Sequence, residues 1–287
     1  MPGPQTSFAS PGAINLIGAL LEQRTGQQIA ADRAWRIETA LKPVLRDHGF
    51  DTLDQLIGQL AGARTGALAD AIVNALLNQE TSFFRDPGVI EAVIEAAQAL
   101  QADMPGRRLR IWSAGCSVGQ EPYSLAMLFA ELAVSRDFAM PEIVATDVCP
   151  SALARARAGR YSQFEIQRGL PVRRMVTWFD SVDGAWVARP ELAKRVQFRN
   201  HNLTRDPPPV GKFDIVLCRN VLLYFSGGTR RSVFDTLRGA TREGGLLVLG
   251  AGETVIGQTD AFRPSDRFRG FYRAEPAQMP GVRTSAR

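Results

Sequence analysis

The chain has 287 residues, of which 45% are hydrophobic and 22% are charged, so it can bury a sizeable core in one large domain or two small ones. Basic residues outnumber acidic residues by 34 to 29, and all of the basic residues except Lys42, Lys194 and Lys212 are arginines. A net charge of +5 is compatible with nucleic acid, an anionic membrane surface or an acidic protein as partner, and it does not choose among them.

Metal ligands are scarce in this sequence. The histidines are His48 and His201, and the cysteines Cys116, Cys149 and Cys218 have no metal-binding spacing, which argues against a zinc or di-iron site. An odd number of cysteines without a short-spaced framework favours a reducing compartment. We therefore expect no metal, and we expect the cysteines to be buried thiols and not nucleophiles.

The sequence shows no targeting segment and no membrane span. Its start has neither a cationic nor an apolar region, and no stretch reaches the ~18 uninterrupted apolar residues that a span needs. We expect a cytoplasmic protein without direct membrane insertion. The ends, residues 1–12 and 276–287, are rich in Pro, Gly, Ser and Gln, and they are predicted to be mobile tails.

Residues 13–80 are helical in character and predict an N-terminal all-α domain. The stretch INLIGALLEQRTG places Ile14 and Ile17 on one face with two leucines, and DTLDQLIGQL begins with Asp51 as its expected helix cap. Pro43 interrupts IETALKPVLRDHG, which leaves a kinked helix and two short helices as alternatives.

After Asp86 the pattern changes to helices that alternate with apolar strands. Asp86 and Pro87 are a favourable N-cap and N1 pair for a helix that runs to about Gln101. The predicted strands are RLRIWSAG, PEIVATDV, RVQFRN, FDIVLCRN, GGLLVLGAG and FYRAE. This alternation predicts a mostly parallel sheet that is covered on both faces.

One segment breaks the alternation. Between Tyr161 and Asn202, the stretch DSVDGAW is typical of a hairpin around Asp183 and Gly184. We therefore predict a small antiparallel β insertion at about residues 170–196.

Ligands of open parallel sheets bind beyond the carboxyl ends of the strands, so the residues after each strand are candidates for a site. After the second strand, Asp147 could accept both hydrogen bonds from a ribose diol. After the first strand, Gly115 and Gly119 do not have the G-x-G-x-x-G spacing, and no lysine is present for a Walker loop. Glu121 at the following helix start disfavours a phosphate. The alternatives are a tight connection without a ligand and a site for a nucleoside without phosphates, such as S-adenosylmethionine.

Five segments carry a more specific signal, and they stand in a fixed order. They are NQETSFFRDP (78–87), WSAGCSVGQEPYSLAM (112–127), Thr146-Asp147 followed by ALARARAGRY (152–161), Asn202-Leu203, and FDIVLCRNVLLYF (213–225). Together they resemble the chemotaxis-receptor glutamate O-methyltransferases of the CheR type over about 260 residues. The resemblance implies an α/β fold of the class I S-adenosylmethionine-dependent methyltransferases, with a Rossmann-like, mostly parallel sheet, at residues 81–275. It also implies an N-terminal helical domain at residues 13–80.

The resemblance further implies that S-adenosylmethionine is the cofactor. The residues that would surround it are Gln79, Thr81, Arg85, Ala114, Gly115, Glu121, Asp147, Asn202, Leu203, Arg219 and Asn220. Asp147 would hold the ribose, and Arg85 and Tyr224, the expected catalytic residues, would face the methyl group and the incoming carboxylate. The sequence departs from the family pattern at Gln79, where the family usually has Asn, and at Ala251, where it usually has His.

The activity implied by the resemblance is methyl transfer to glutamate side chains on chemoreceptor cytoplasmic helices. A glutamate, with a pKa of about 4.3, is already ionised at neutral pH and needs no general base. The alternatives are a non-catalytic, cofactor-sensing interaction module and a nucleic-acid methyltransferase, although no Asn-Pro-Pro-Tyr motif is present.

The expected partners are therefore methyl-accepting chemoreceptor helices and not nucleic acid, and we expect a monomer. The basic residues Arg33, Arg36, Lys42 and Arg46 could form a docking face for acidic receptor helices. A solvated face explains them equally well.

Overall fold

The computed structural model describes residues 10–30, 35–62, 66–135 and 138–276. Its first four helices are α1 (Pro11–Thr25), α2 (Trp35–His48), α3 (Leu53–Gly62) and α4 (Gly66–Leu76). The side chains that these helices bury, among them Ile17, Leu41, Leu56 and Ile72, form one apolar cluster. The predicted N-terminal helical region is therefore confirmed.

Three local predictions in this region change. Helix α1 is capped by the Ser10 hydroxyl, which accepts the Ala13 N–H at 3.2 Å, so the predicted tail is wrong for residues 10–12. Residues 1–9 and 277–287 of the predicted tails lie outside the described residues. The cap of α3 is Thr52 and not Asp51, because the Thr52 hydroxyl accepts the Gln55 N–H at 3.2 Å. Pro43 lies within a single helix.

The rest of the chain alternates between helices and strands, as predicted. In chain order its elements are α5 (Pro87–Asp103), β1 (Arg110–Ala114), α6 (Gln120–Ser135), β2 (Glu142–Asp147), α7 (Pro150–Ala158), β3 (Arg160–Ser162), α8 (Gln163–Gln167), α9 (Val172–Trp178), β4 (Phe179–Val182), β5 (Ala185–Ala188), α10 (Pro190–Ala193), β6 (Val196–Asn200), β7 (Phe213–Cys218), a 3-10 turn (Leu222–Tyr224), α11 (Gly227–Ala240), β8 (Thr241–Leu249), β9 (Phe262–Pro264) and β10 (Tyr272–Ala274).

The main sheet has seven strands in the order β6-β2-β1-β7-β8-β10-β9, and the first five are parallel. All six residues of β7 are buried, because this strand lies inside the sheet and both of its faces are covered. Two apolar clusters cover the two faces, one around Ile111 and Phe129 and the other around Trp112 and Phe234. The carboxyl ends of β2, β1 and β7 therefore meet at one edge, where ligands of such sheets bind.

The predicted hairpin is confirmed and belongs to a small antiparallel sheet with the order β3-β5-β4. Asp183 and Gly184 both have positive φ, 49° and 72°, as a two-residue type I′ turn requires. The third strand, β3, was not predicted. Its Tyr161 hydroxyl donates to the Val118 carbonyl at 2.8 Å and so joins this sheet to the turn after β1.

Gly159 provides a test of how tightly α7 packs against this small sheet. Its φ is 59°, and an added Cβ would lie 2.8 Å from the Cβ of Ala188. Gly106 is a matched control, because its φ is 80° but nothing lies within 4 Å of an added Cβ. We expect Gly106→Ala to lower the free energy of unfolding by about 1–2 kcal/mol, and Gly159→Ala to cost a further ~1–3 kcal/mol because of the clash. Equal losses in urea denaturation would contradict the packing argument.

Candidate functional site

A cavity of about 910 Å³, which includes space open to solvent, lies beyond the carboxyl ends of β1, β2 and β7. Of the predicted cofactor and catalytic residues, those on its wall are Gln79, Thr81, Arg85, Gly115, Glu121, Asp147, Asn202, Leu203, Arg219, Asn220 and Tyr224. Ala114 does not line it, because its methyl group is buried in the apolar cluster on one face of the sheet. Thr25 and Gln27, at the end of α1 and just beyond it, also line the cavity and were not predicted.

The turn after β1 brings backbone to the cavity wall. Gly115 has a φ of 77°, and its N–H and that of Cys116 both donate to the Thr146 carbonyl at the end of β2. A Cβ on Gly115 would lie 2.5 Å from a methyl carbon of Val221. The close approach of these two segments therefore requires glycine at this position.

Asp147 is fixed on the cavity wall by two backbone donors. The Ser117 N–H donates to its Oδ2 at 2.7 Å, and the Cys149 N–H donates to its Oδ1 at 2.9 Å. Burial raises the pKa of Asp147, and the backbone donors oppose that rise. A carboxylate has about four lone-pair sites, so two remain for further donors such as a ribose diol.

An ion network around the buried guanidinium of Arg219 also lies at the cavity. The side chain of Arg219 is 2% exposed, and its guanidinium donates to Glu121 at 2.9 Å and to Asp86 at 2.5 Å. The same guanidinium donates to the Arg85 carbonyl at 3.1 Å, and the Ser113 hydroxyl donates to Glu121 at 2.8 Å. A buried charge requires such partners.

This network also corrects the prediction for the start of α5. Asp86 precedes the helix but makes no side-chain cap, and its φ is 54°. Its carboxylate pairs with Arg219 instead, because that buried guanidinium is a stronger partner than a helix N–H. The helix ends at Asp103, two residues beyond the predicted end.

Glu253 organises the loop after β7, and sequence reasoning did not assign it a role. Its two carboxylate oxygens accept four backbone N–H groups, two at Oε2 from Asn220 and Gly250 and two at Oε1 from Val221 and Leu222, at 2.7–2.9 Å. Asn220 has a φ of 58°. The signal in the sequence is the acidic residue at the end of the GAGE stretch, residues 250–253.

Another wall of the cavity is formed by the loop after β6. The Asn202 amide nitrogen donates to the Arg24 carbonyl at 2.8 Å, and its amide oxygen accepts the Thr204 N–H at 3.0 Å. The side chain of Asn202 therefore joins α1 to this loop. Leu203, which is buried, contributes an apolar surface next to it.

Arg85 and Tyr224 both line the cavity and keep hydrogen-bonding capacity free. One Arg85 nitrogen donates to the Glu80 carbonyl at 3.4 Å, and no carboxylate among the described residues pairs with its guanidinium. The Tyr224 hydroxyl accepts a hydrogen bond from the Asn78 amide. Each of the two side chains therefore has donors that a ligand in the cavity could use.

The Gln79 amide donates to the sulfur of Cys149 at 3.2 Å. All three cysteines are free and buried, as predicted. Burial raises the pKa of Cys116 and of Cys218, so both remain thiols at neutral pH. In the described part of the chain, no group of three or more His, Cys, Asp and Glu residues could hold a metal. None of the helices in that part is long and apolar enough to cross a membrane.

The open parallel sheet, with a cavity at its carboxyl edge and an aspartate at the end of the second strand, defines a nucleoside-binding α/β protein. Residues 79–270 match the family model described as CheR methyltransferase, SAM binding domain. Chemotaxis protein methyltransferase 1 of Pseudomonas aeruginosa is 34% identical over 261 residues, which cover 89% of this chain and 94% of that protein. Chemotaxis protein methyltransferase 1 of Vibrio cholerae is 35% identical over 247 residues, which cover 84% and 89%. The chain belongs to the CheR methyltransferase family, and its cofactor is S-adenosylmethionine.

The cavity fits this cofactor in its chemistry. The molecule carries hydroxyls, amino groups, a carboxylate and a sulfonium cation but no phosphate, and the wall offers the carboxylates of Asp147 and Glu121 and the guanidinium of Arg85. The described residues of the wall include no lysine. The backbone of the turn at Gly115 leaves space that a side chain would fill.

Asp147 is the proposed acceptor for the ribose diol, and its protonation gives a test. Because burial raises the pKa of this carboxyl above its ordinary value of 3.8, we expect cofactor affinity to fall on acidification at a pH above that value. Asp147→Ala should weaken binding by at least about 100-fold, since two hydrogen bonds to a charged group are lost. Calorimetry across pH measures both effects. Asp235→Asn, at an exposed position on α11, is the control, and unchanged affinity in Asp147→Ala would refute the ribose role.

Glu253 gives a second test. Glu253→Ala leaves four backbone N–H groups without their acceptor, so we expect a loss of about 2–4 kcal/mol in the free energy of unfolding. Glu253→Gln keeps one carbonyl oxygen and should lie between the wild type and Glu253→Ala. Chemical denaturation measures both variants. If they were equally stable and matched the wild type, the carboxylate would not hold this loop.

Proposed function

We propose that this methyltransferase transfers the methyl group to glutamate side chains on the cytoplasmic helices of a chemoreceptor and forms glutamyl methyl esters. Two observations support the proposal. The relatives are chemotaxis protein methyltransferases by name. The observation that carries it is that the Arg85 guanidinium, which forms no ion pair among the described residues, and the Tyr224 hydroxyl both line the cavity. A single carboxylate between them would accept hydrogen bonds from both.

The proposed cofactor contacts rest on the family resemblance, and the position of these residues in the cavity lining supports them. Asp147 would hold the ribose, and Leu203 would border the adenine. Arg219 would contribute indirectly, by holding Glu121 in place through their 2.9 Å ion pair. When bound, S-adenosylmethionine supplies a methyl group on a positively charged sulfur.

The chain's own residues then have a limited chemical task. The glutamate is ionised at neutral pH, so no side chain has to remove a proton from it. Arg85 would bind one carboxylate oxygen and Tyr224 would donate to the same group, which leaves the other oxygen free to attack. Positioning of this kind supplies much of the rate acceleration in a transfer reaction. Because opposite charges disappear during the transfer, a water-poor cavity favours it further.

The proposed organisation has an N-terminal helical domain at residues 13–80 and a methyltransferase domain at residues 81–275 with the β insertion. We propose that the protein acts as a monomer in the cytoplasm, with acidic receptor helices and not nucleic acid as its partner. Lys42 and Arg46 are exposed on α2, whereas Arg33 lies outside the described residues.

The direct test is incubation of the protein with methyl-labelled cofactor and receptor cytoplasmic fragments. We expect base-labile label on glutamate, located by mass spectrometry. Absence of label from every acidic helical target would contradict the proposal. Cofactor binding without any transfer would favour a sensing module, and strongly salt-dependent nucleic-acid binding would favour a nucleic-acid methyltransferase.

Tyr224→Phe removes the hydroxyl and keeps the ring. We expect methyl transfer to fall about 10- to 100-fold, because one hydrogen bond to a charged group is lost, while cofactor affinity in calorimetry stays unchanged. Tyr272→Phe is the matched control, since that hydroxyl lies 3.3 Å from Thr254 and does not line the cavity. Equal activity of the two variants would remove Tyr224 from the mechanism.

A further inference from the structure

We infer that Asn78 positions the hydroxyl proton of Tyr224, so that the phenol donates into the cavity. The inference rests on the proposed function, because the group that receives this proton is the substrate carboxylate. Asn78 lies just after α4, is half-buried and lines the cavity next to Tyr224. Its amide nitrogen donates to the Tyr224 hydroxyl oxygen.

The orientation of the Asn78 amide follows from its other contact. Its oxygen accepts the backbone N–H of Glu80 at 3.1 Å. If the amide were turned around, its NH₂ group would face the Glu80 N–H, and two donors would oppose each other. The group that faces Tyr224 is therefore the NH₂ donor.

The direction of the Tyr224 proton follows in turn. A phenol has one hydrogen, and an oxygen that receives the Asn78 N–H directs that hydrogen elsewhere. Among the described residues, the hydrogen bond accepted from Asn78 is the one that the Tyr224 hydroxyl makes. The other end of the residue is fixed, because the Tyr224 carbonyl accepts the Gln28 N–H at 2.8 Å. The Tyr224 hydroxyl at the cavity wall thus keeps its hydrogen available for donation.

The backbone of Glu80 links the Asn78–Tyr224 pair to Arg85. The N–H of Glu80 orients Asn78, and the carbonyl of Glu80 accepts from Arg85 at 3.4 Å. The Glu80 carboxylate is itself paired with Arg168, the residue after α8, at 2.7 Å. The backbone of Glu80 therefore binds both Arg85 and Asn78. Asn78 in turn is the positioning residue for Tyr224.

The test is a double-mutant cycle with Asn78→Ala, Tyr224→Phe and the double variant, measured as methyl transfer to a receptor fragment. We expect Asn78→Ala to lower kcat about 10-fold and to leave cofactor affinity within about 2-fold, since one hydrogen bond is lost. If Asn78 acts through the hydroxyl, it has no further effect once Tyr224 is phenylalanine. A purely structural role would give the same loss in both backgrounds, and that result would overturn the inference.

Asn78→Asp provides a second measurement. An aspartate keeps the acceptor for the Glu80 N–H but can only accept from Tyr224, so it draws the phenolic proton away from the cavity. We expect a larger fall in kcat than in Asn78→Ala. In the Tyr224→Phe background, the fall in kcat caused by Asn78→Asp measures the repulsion between the new charge and the substrate. Any additional fall in kcat in the wild-type background is due to the redirected phenolic proton. No excess would contradict the inference.

The outcomes separate this inference from the proposed function. If the wild type methylates no receptor fragment, the proposed function fails. If the wild type is active and the cycle is additive, only the role of Asn78 fails. Thermal denaturation of each variant identifies loss of folding, in which case Asn78→Ser, which keeps a short hydroxyl donor, replaces Asn78→Ala in the cycle.

Discussion

The buried guanidinium of Arg219 ties together three segments that reach the cavity from separate parts of the chain. It follows β7, and its partners Glu121 and Asp86 stand at the starts of α6 and α5. A charge that is 2% exposed is tolerated only with such partners, and loss of Arg219 would leave two carboxylates without their counter-charge. The position of Arg85 depends on this network, because its carbonyl also accepts from Arg219.

A second constraint on the cavity walls is backbone in the unfavourable positive-φ conformation, which nearby carboxylates stabilise. Among the described residues, five non-glycine residues have positive φ, and four of them, Phe84, Asp86, Ser117 and Asn220, lie in the segments that form the cavity. Such residues persist where surrounding contacts over-determine them. The Ser117 N–H is bound by Asp147 and the Asn220 N–H by Glu253. The two carboxylates thus stabilise the turns that shape the site.

Six of the seven strands of the main sheet could be predicted, because apolar strands and amphipathic helices are local patterns, whereas the short strand β9 was not predicted. The hairpin at Asp183 was also local, since two residues define its turn. The roles of Asp86, Glu253 and Asn78 could not be predicted, because each depends on a partner distant in sequence. Asp86 shows the conflict clearly: its neighbours favour a helix cap, and a guanidinium 133 residues away takes the carboxylate instead. Strand β3 was missed because its three residues are too few for a pattern.

The excess of arginine has a different meaning in the folded protein than in the sequence. Arg107 and Arg242 both pair with buried Asp214, and Arg110 pairs with Glu142 and stacks on Phe213, so these charges stabilise one end of the sheet. Arg85 differs because it lines the cavity and forms no ion pair within the described structure, although, after the hydrogen bond from Arg168, its charge also lowers the pKa of the Glu80 carboxyl. The proposed glutamate substrate would bring a carboxylate to this side chain, as would the methionine part of the cofactor, whereas a nucleic-acid base would not. The local charge balance of the cavity, more than the net charge of the chain, therefore bears on the choice of methyl acceptor, and it supports the proposed acidic side chain.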